Sequence, residues 1–580
     1  MPQIPEKIFQ SRLALVRLAF FIFFAIIILR LFEVQVLDQS LYAALASNQH
    51  DVLAELFPVR GNILTRDSLS ENGVYPVAVN RKLWQVYSVP RDVTDALEAA
   101  NKLSPLLGLP SEEILTRLAS DPTDPYEPLA HELSDEAVEQ INKLNLAGIK
   151  TAPETVRFYP EAELYSQILG FIGFADDKKV GRYGVEQYVE EILAGAPGKL
   201  ISEKDPGGRL IMSASRSIVP AVAGADVVLT IDKNIQFQSC RALQSAVKKH
   251  EARGGSVLII NPKDGAILAL CSTPSFDPNN YRAVSDIGRF LNPISSTAYE
   301  IGSVFKPITM ALALDAGKVT ADTVYDDTGS LIFGPDVIKN SDGKAHGLQT
   351  MTQVLEESLN TGAIFAMRQV GKKEFGEGVK NFGFGEVTGI ELPHESVGNI
   401  KSLNEKQEIY FATASFGQGI TATPLQMAQA FGAIANKGKL IRPHLISEIR
   451  YADGSVLKTE PTLVRQVIKP ETATTLGAML VSVVENGHGK RAGVPGYYVA
   501  GKTGTAEISL SGGGGYEKHK NIGTFIGFAP LNDPKFVMIT KIVEPQGLVF
   551  AESSAAPLFG ELAKYLLQYY QVPPERKVSK

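Results

Sequence analysis

Cysteine and histidine are scarce in this chain. There are two cysteines and eight histidines in 580 residues, and none falls in a CxxC or HExxH spacing. A structural zinc site or an iron–sulfur centre is therefore excluded, and no metal is expected. Positive charge is also short: 57 basic residues stand against 63 acidic ones, for a net charge of −6. A nucleic-acid binder would carry a basic surplus. Long apolar runs are missing with one exception near the start, so a polytopic membrane protein is excluded. GxSxG is absent, no His/Asp arrangement surrounds a nucleophilic serine, and no internal repeat is evident. What remains is a globular composition, 44% hydrophobic and 21% charged, in a chain long enough for more than one domain. Cys240 falls on a helical stripe with Leu243 and Val247, and Cys271 ends an apolar strand-like run. Two buried thiols are expected, with a disulfide left open.

The exceptional run is "LALVRLAFFIFFAIIILRLF", residues 13–32. A membrane-spanning helix needs ~20 mainly apolar residues, and this segment has that length if Arg17 and Arg30 reach toward the two interfaces. A cleavable signal would show a small-residue site soon after its core. The nearest such site, Ala44-Leu45-Ala46, lies beyond Glu33, Gln35 and Asp38. The run thus reads as an uncleaved anchor. Lys7, Arg12 and Arg17 precede its centre, which keeps the N-terminus cytoplasmic and exports the rest.

Residues 33–221 mix short strands, turns and helices, such as "PSEEILTRLAS" from Pro110, with no catalytic pattern. The character changes near Ala225. An alternating strand ends at Asp232, a good N-cap, and a helix follows. "SVLII" and "AILALC" flank Asn261–Gly265 as a hairpin. Late in the chain, "YVAGKTGTA", "GTFIGFAP" and "KFVMITKIV" read as consecutive strands. Between the two strand groups lie helical segments, including Thr423–Gly438, closed by glycine. Strands at both ends with helices between predict an antiparallel sheet covered by helices, an α+β domain. A last amphipathic helix is predicted over Leu558–Tyr570 with Leu562, Leu566 and Tyr569 on one face. The tail 572–580 is expected to fray. The expected division is a cytoplasmic tail 1–12, an anchor 13–32, a non-catalytic domain 33–221 and a catalytic domain 222–571.

Within the second domain, "EIGSVFKPIT" places Ser303 three residues before Lys306, about one helical turn. A serine hydroxyl attacks poorly until a base takes its proton, and a lysine serves if burial or a neighbouring positive charge depresses its ammonium. The spacing alone is weak, because Ser245/Lys248, Ser341/Lys344 and Ser455/Lys458 share it. Those three lie in a charged helix and in two turns. Only Ser303 has a glycine before it and an apolar helix behind it, with Pro307 near the helix start. Ser358 and Asn360 in "LEESLNTGAIFA" form a second element: a hydroxyl to relay a proton and an amide to hold a peptide bond. Ser402/Asn404 is a rival, but its charged neighbours read as solvated. The third element, Lys502-Thr503-Gly504-Thr505, puts Lys502 and Gly504 on one strand face. Lys502 supplies charge, Thr503 or Thr505 can bind a carboxylate, and Gly504 leaves a gap for a substrate backbone. An ordinary strand with an exposed lysine is the plain alternative for that tripeptide; the three patterns in order are far more specific.

With these residues in place, the sequence resembles the class B penicillin-binding proteins, whose S-x-x-K, S-x-N and K-T-G patterns match Ser303–Lys306, Ser358–Asn360 and Lys502–Gly504. "SFGQGITATPLQMAQAFGAIANKG", "AGKTGTAE" and "SFDPNNY" are further similarities. "RGNILTRDS" and "RYGVEQYVEEIL" resemble front-domain patterns, with Thr65 in place of the usual aspartate, and "YEIGSVFKP" resembles the family's stretch around the serine, with Ile301 in place of its proline. The resemblance covers most of the chain from Arg60 onward. It implies a penicillin-binding transpeptidase domain on an elongated mixed α/β pedestal, one transmembrane helix and an extracytoplasmic catalytic site. The substrate would be a peptidoglycan stem peptide ending in D-Ala-D-Ala.

By that resemblance Lys306 deprotonates Ser303, backbone N–H groups of Ser303 and Thr505 stabilise the oxyanion, and Ser358 lies in the proton path. Lys502, Thr503 and Thr505 hold the substrate carboxylate, and Gly504 with the strand edge holds its backbone. β-Lactams would trap the acyl-enzyme, and no cofactor is needed. The implied partners are a membrane-embedded glycosyltransferase and other wall-synthesis or division proteins. The division branch is favoured over the elongation branch; a weakly catalytic scaffold and a β-lactamase or carboxypeptidase are the competing readings. The glycine-rich segment Ser509–Asn521 is expected either to gate the cleft or to be a passive loop, with His519 solvated.

Overall fold

The computed structural model describes residues 6–33, 51–119, 121, 124, 126–175, 178–203, 217–509, 515–548 and 550–577. Contacts divide the chain into two compact units. One combines residues 1–59 with 195–224, and the other combines residues 60–194 with 225–580.

In the first unit a helix runs over Glu6–Phe32. Its large apolar side chains from Leu18 to Phe32 are exposed, including Phe20, Phe21 and Leu29. Among the described residues no helix is long and apolar enough to cross a membrane. This unit also holds a three-stranded antiparallel sheet of Asp51–Leu56, Gly198–Glu203 and Ser217–Val219.

The second unit holds the candidate site residues. Its five-stranded antiparallel sheet runs in the order Ile267–Thr273, Gly254–Ile260, Phe536–Val543, Tyr516–Ala529, Ala500–Ser509. The predicted hairpin and the three late strands are all in it, and Ala500–Ser509 is an edge. The middle strand Phe536–Val543 is buried almost throughout, because helices cover both faces. Lys233–Lys249 and Ala555–Tyr569 lie on one side, and Pro424–Ala435 on the other. Local chemistry sets the ends of these helices. Asp232 accepts from the backbone N–H groups of Asn234 and Ile235, and Thr423 with Gln426 forms a capping box. On the last helix Leu562 and Leu566 are fully buried, as their spacing predicts.

Three features differ from the sequence-based expectations. The alternating strand before Asp232 (Asp226–Asp232) is not part of the catalytic sheet. It pairs in parallel with Ile63–Arg66 and antiparallel with Ile446–Arg450, joining early and late segments in a second sheet. The cysteines are not free thiols: Cys240 and Cys271 form a disulfide with Cα atoms 5.3 Å apart. Closing a loop between cysteines 31 residues apart removes about 3–4 kcal/mol of unfolded-chain entropy, and such bonds belong to oxidising compartments. The tail does not fray through Arg576. Glu575 Oε2 accepts from the Tyr498 N–H, and the Arg576 guanidinium pairs with Glu485 and lies 4.8 Å from the centre of the Tyr498 ring.

Candidate active site

Ser303 sits on a 3₁₀ turn, Gly302–Phe305, that leads straight into the α-helix Lys306–Asp315. Pro307 occupies the first turn of that helix, where no backbone donor is lost. Gly302, Val304 and Phe305 are buried, whereas Ser303 is partly exposed, so its hydroxyl is presented at the surface of a rigid segment. The turn is pinned from below. Gly302 has φ +61°, and its N–H donates to the Gly417 carbonyl at 3.0 Å. A Cβ on Gly417 would lie 2.2 Å from the Gly302 oxygen, so the two backbones meet at a distance only glycine permits.

Two buried lysines converge on one hydroxyl. Lys306 Nζ is 3.1 Å from Ser358 Oγ and also donates to the Ser358 carbonyl. Lys502 Nζ is 3.0 Å from the same Oγ and 3.1 Å from the Thr503 carbonyl. Their side chains are 1% and 0% exposed, and neither pairs with a carboxylate among the described residues. Burial, and then the neighbouring Lys502 charge, push the Lys306 ammonium well below the usual lysine range. Burial lowers Lys502 to about 7. One lysine can thus be a neutral base while the other keeps a proton for an anion.

Ser358, at the meeting point, has φ +56°, a left-handed conformation that costs a non-glycine residue of order 1 kcal/mol or more. The helix Asn360–Val370 follows immediately. Asn360 Nδ2 donates to the Lys339 carbonyl at 2.8 Å, which orients the amide with its oxygen available as an acceptor. Lys306 bonds to Ser358 rather than to Ser303.

On the edge strand the room left by Gly504 is already used. A Cβ there would stand 2.9 Å from the Val304 nitrogen and from Val304 Cγ1. Instead of keeping a gap for a substrate backbone, Gly504 lets the Ser303 turn lie directly on the strand. Thr503 is nearly buried beside Lys502, and Thr505 Oγ1 accepts from the Ala551 N–H at 3.1 Å, keeping its own O–H to donate.

The rival pairs do not join the two buried lysines. Ser455 bonds to Asp453 in its turn, Ser245 and Lys248 lie along the helix Lys233–Lys249, and Ser402 donates to the Gly419 carbonyl. Sequence reasoning missed Glu300, which accepts from the Gly419 N–H and the Tyr516 hydroxyl beside the Ser303 turn. It also missed the buried pair Asp327 and Asn340 behind Asn360. Of the glycine-rich segment, residues 510–514 and the His519 side chain lie outside the described residues.

Residues 255–564 match the family model of the penicillin-binding protein transpeptidase domain, and residues 55–229 match that of the penicillin-binding protein dimerisation domain. Stage V sporulation protein D of Bacillus subtilis is 34% identical over 577 residues, covering 98% of this chain and 87% of that protein. Peptidoglycan D,D-transpeptidase FtsI of Escherichia coli is 28% identical over 519 residues, 88% of this chain and 84% of that one. Among solved structures, penicillin-binding protein 3 of Mycobacterium tuberculosis complexed with aztreonam superposes with a TM-score of 0.68 at 26% identity. That match covers 91% of this chain and 100% of the other.

Proposed function

The chain belongs to the class B penicillin-binding proteins, and on that footing we propose how its residues cross-link peptidoglycan and where in the cell they do so. It is a serine-type D-Ala-D-Ala transpeptidase that binds stem peptides and β-lactams. The observation that carries the assignment of roles is the convergence of Lys306 and Lys502 on Ser358 beside the Ser303 turn. Lys306, neutral through burial, takes the Ser303 proton as the oxygen attacks the penultimate D-Ala carbonyl. The backbone N–H groups of Ser303 and Thr505 hold the oxyanion. Ser358 passes the proton to the departing D-Ala nitrogen. An amine of a neighbouring stem peptide then displaces Ser303 from the acyl-enzyme, returning the proton by the same path. Lys502, Thr503 and Thr505 hold the terminal carboxylate. Asn360 accepts from a substrate amide through its side-chain oxygen, and the edge strand Ala500–Ser509 pairs with the substrate backbone, Gly504 contributing its main chain.

The site of action in this reading is the division septum. The names of the relatives, one a sporulation protein and one the transpeptidase FtsI, support it, as do "SFGQGITATPLQ" and "FIGFAPLNDPKF". Residues 13–32 serve as the anchor: the exposed apolar side chains from Leu18 to Phe32 need a lipid or protein cover, and the Cys240–Cys271 disulfide suits a domain exported behind them. Residues 33–221 act as a pedestal and 222–571 as the catalytic domain, with a membrane glycosyltransferase as partner. A fluorescent fusion of the full chain, expressed at native level in dividing cells, tests the location. A band at the division plane is expected; uniform side-wall signal would overturn the septal reading in favour of elongation.

A further inference from the structure

The helix Asn360–Val370 carries Asn360 at its first position and follows the strained Ser358, yet its own sequence supplies no cap. The residue before it is Leu359, which has no side-chain acceptor. The acceptor comes from elsewhere in the chain. Asn340 Oδ1 accepts the N–H of Asn360 at 3.0 Å and the N–H of Thr361 at 3.2 Å. Asn340 is held in turn by a buried carboxylate. Its Nδ2 donates to both oxygens of Asp327, at 3.0 and 2.8 Å. Asp327 also accepts from Thr361 Oγ1 at 2.5 Å and from the backbone N–H groups of Gly329 and His346. Asp327, Asn340 and Thr361 are 1%, 5% and 3% exposed. Burial pushes the Asp327 carboxyl up, but these donors outweigh it and hold it below the usual range, so it stays ionised.

A buried carboxylate that accepts five hydrogen bonds from four groups, with no counter-cation among the described residues, is costly to keep for packing alone. Here two of its donors, Asn340 and Thr361, tie it to one place, the helix end that carries Asn360 and follows Ser358. We infer that Asn340, seated on Asp327, is a positioning residue for acyl transfer. It caps the helix in trans, and so keeps Ser358 Oγ on both lysines and the Asn360 amide on the Lys339 carbonyl. The inference rests on the roles given above for Ser358 and Asn360.

The test uses the full chain in detergent and a fluorescent penicillin, with the acylation rate constant separated from the pre-covalent dissociation constant. Asn340→Ala removes the cap and strips donors from Asp327. Asn340→Asp keeps an acceptor for the helix but places two carboxylates together. Asp327→Asn sets amide against amide. Each is expected to lower the acylation rate constant about 10- to 100-fold with little change in the dissociation constant. The exchange Asp327→Asn with Asn340→Asp restores a donor–acceptor pair and a helix acceptor, and is expected to recover much of the rate. Measurements well below each variant's melting temperature separate position from stability. Folded single variants acylating within about twofold of wild type, or an exchange no better than the worse single variant, would overturn the inference. An unlabelled wild type would instead overturn the functional reading beneath it.

Discussion

Lys306→Met is expected to slow acylation by penicillin about 10²- to 10⁴-fold, the range over which a positioned base contributes. Methionine has nearly the length of lysine and no charge to bury, so the site should still close around it. The fall is therefore expected without loss of folding, and a melting curve checks that. The pH dependence gives the sign. In the wild type, acylation per unit of free enzyme is expected to rise as Lys306 loses its proton, at a pH well below the ordinary lysine range because burial and Lys502 oppose its charge. It falls again as Lys502 loses its proton, from about 7 upward, since the carboxylate then has no cation to meet. The limbs belong to the coupled pair, yet removing one lysine identifies its share. Lys306→Met should erase the rising limb and leave the falling one. A rising limb that survives in that variant would mean another group takes the Ser303 proton.

Gly417→Ala should damage the site as severely without touching any catalytic side chain. The new Cβ would lie 2.2 Å from the Gly302 oxygen, at a residue with φ +83°. Both partners are backbone, so no rotamer relieves the clash. The turn bearing Ser303 must move by roughly 1 Å, and a shift of that size can cost about 10²-fold in rate. The strained φ and the overpacking together should cost about 2–4 kcal/mol of stability. Gly454→Ala separates the two causes. Its φ is +86°, but nothing lies within 4 Å of its Cβ position. That variant should lose about 1 kcal/mol and acylate normally. Normal acylation by folded Gly417→Ala would show that the Gly302–Gly417 contact does not position Ser303.

The residues proposed to do the chemistry were readable because they are unusual where they stand. A lysine inside an apolar helix, or on a strand next to glycine, asks for an explanation from its neighbours alone. The sheet was readable because buried strands are short apolar runs between turn residues. What escaped is set by distance along the chain. Asn340 reads as part of a turn, "KNSDGK", and Asp327 as part of another, "DDTGS"; nothing local says that both face a helix end. Gly417 and Gly302 declare close approach, but not to each other. The same holds for Gly504, whose gap is filled by Val304, and for Asp226–Asp232, whose alternation predicts a strand without naming its sheet. Cys240 and Cys271 carry helix and strand periodicity, and their meeting follows only from how the helix Lys233–Lys249 crosses the sheet. Glu575 and Arg576 look solvated because they are charged, yet each finds a partner on the segment around Tyr498 or Glu485.

The most direct measurement of the central claim is peptide mapping of the penicillin adduct, in the wild type and in Ser303→Ala. The account predicts a stable adduct on the peptide containing Ser303 and none in the variant, with the variant's melting temperature unchanged. An adduct on any other residue of the folded wild type, or labelling that persists in Ser303→Ala, would contradict it.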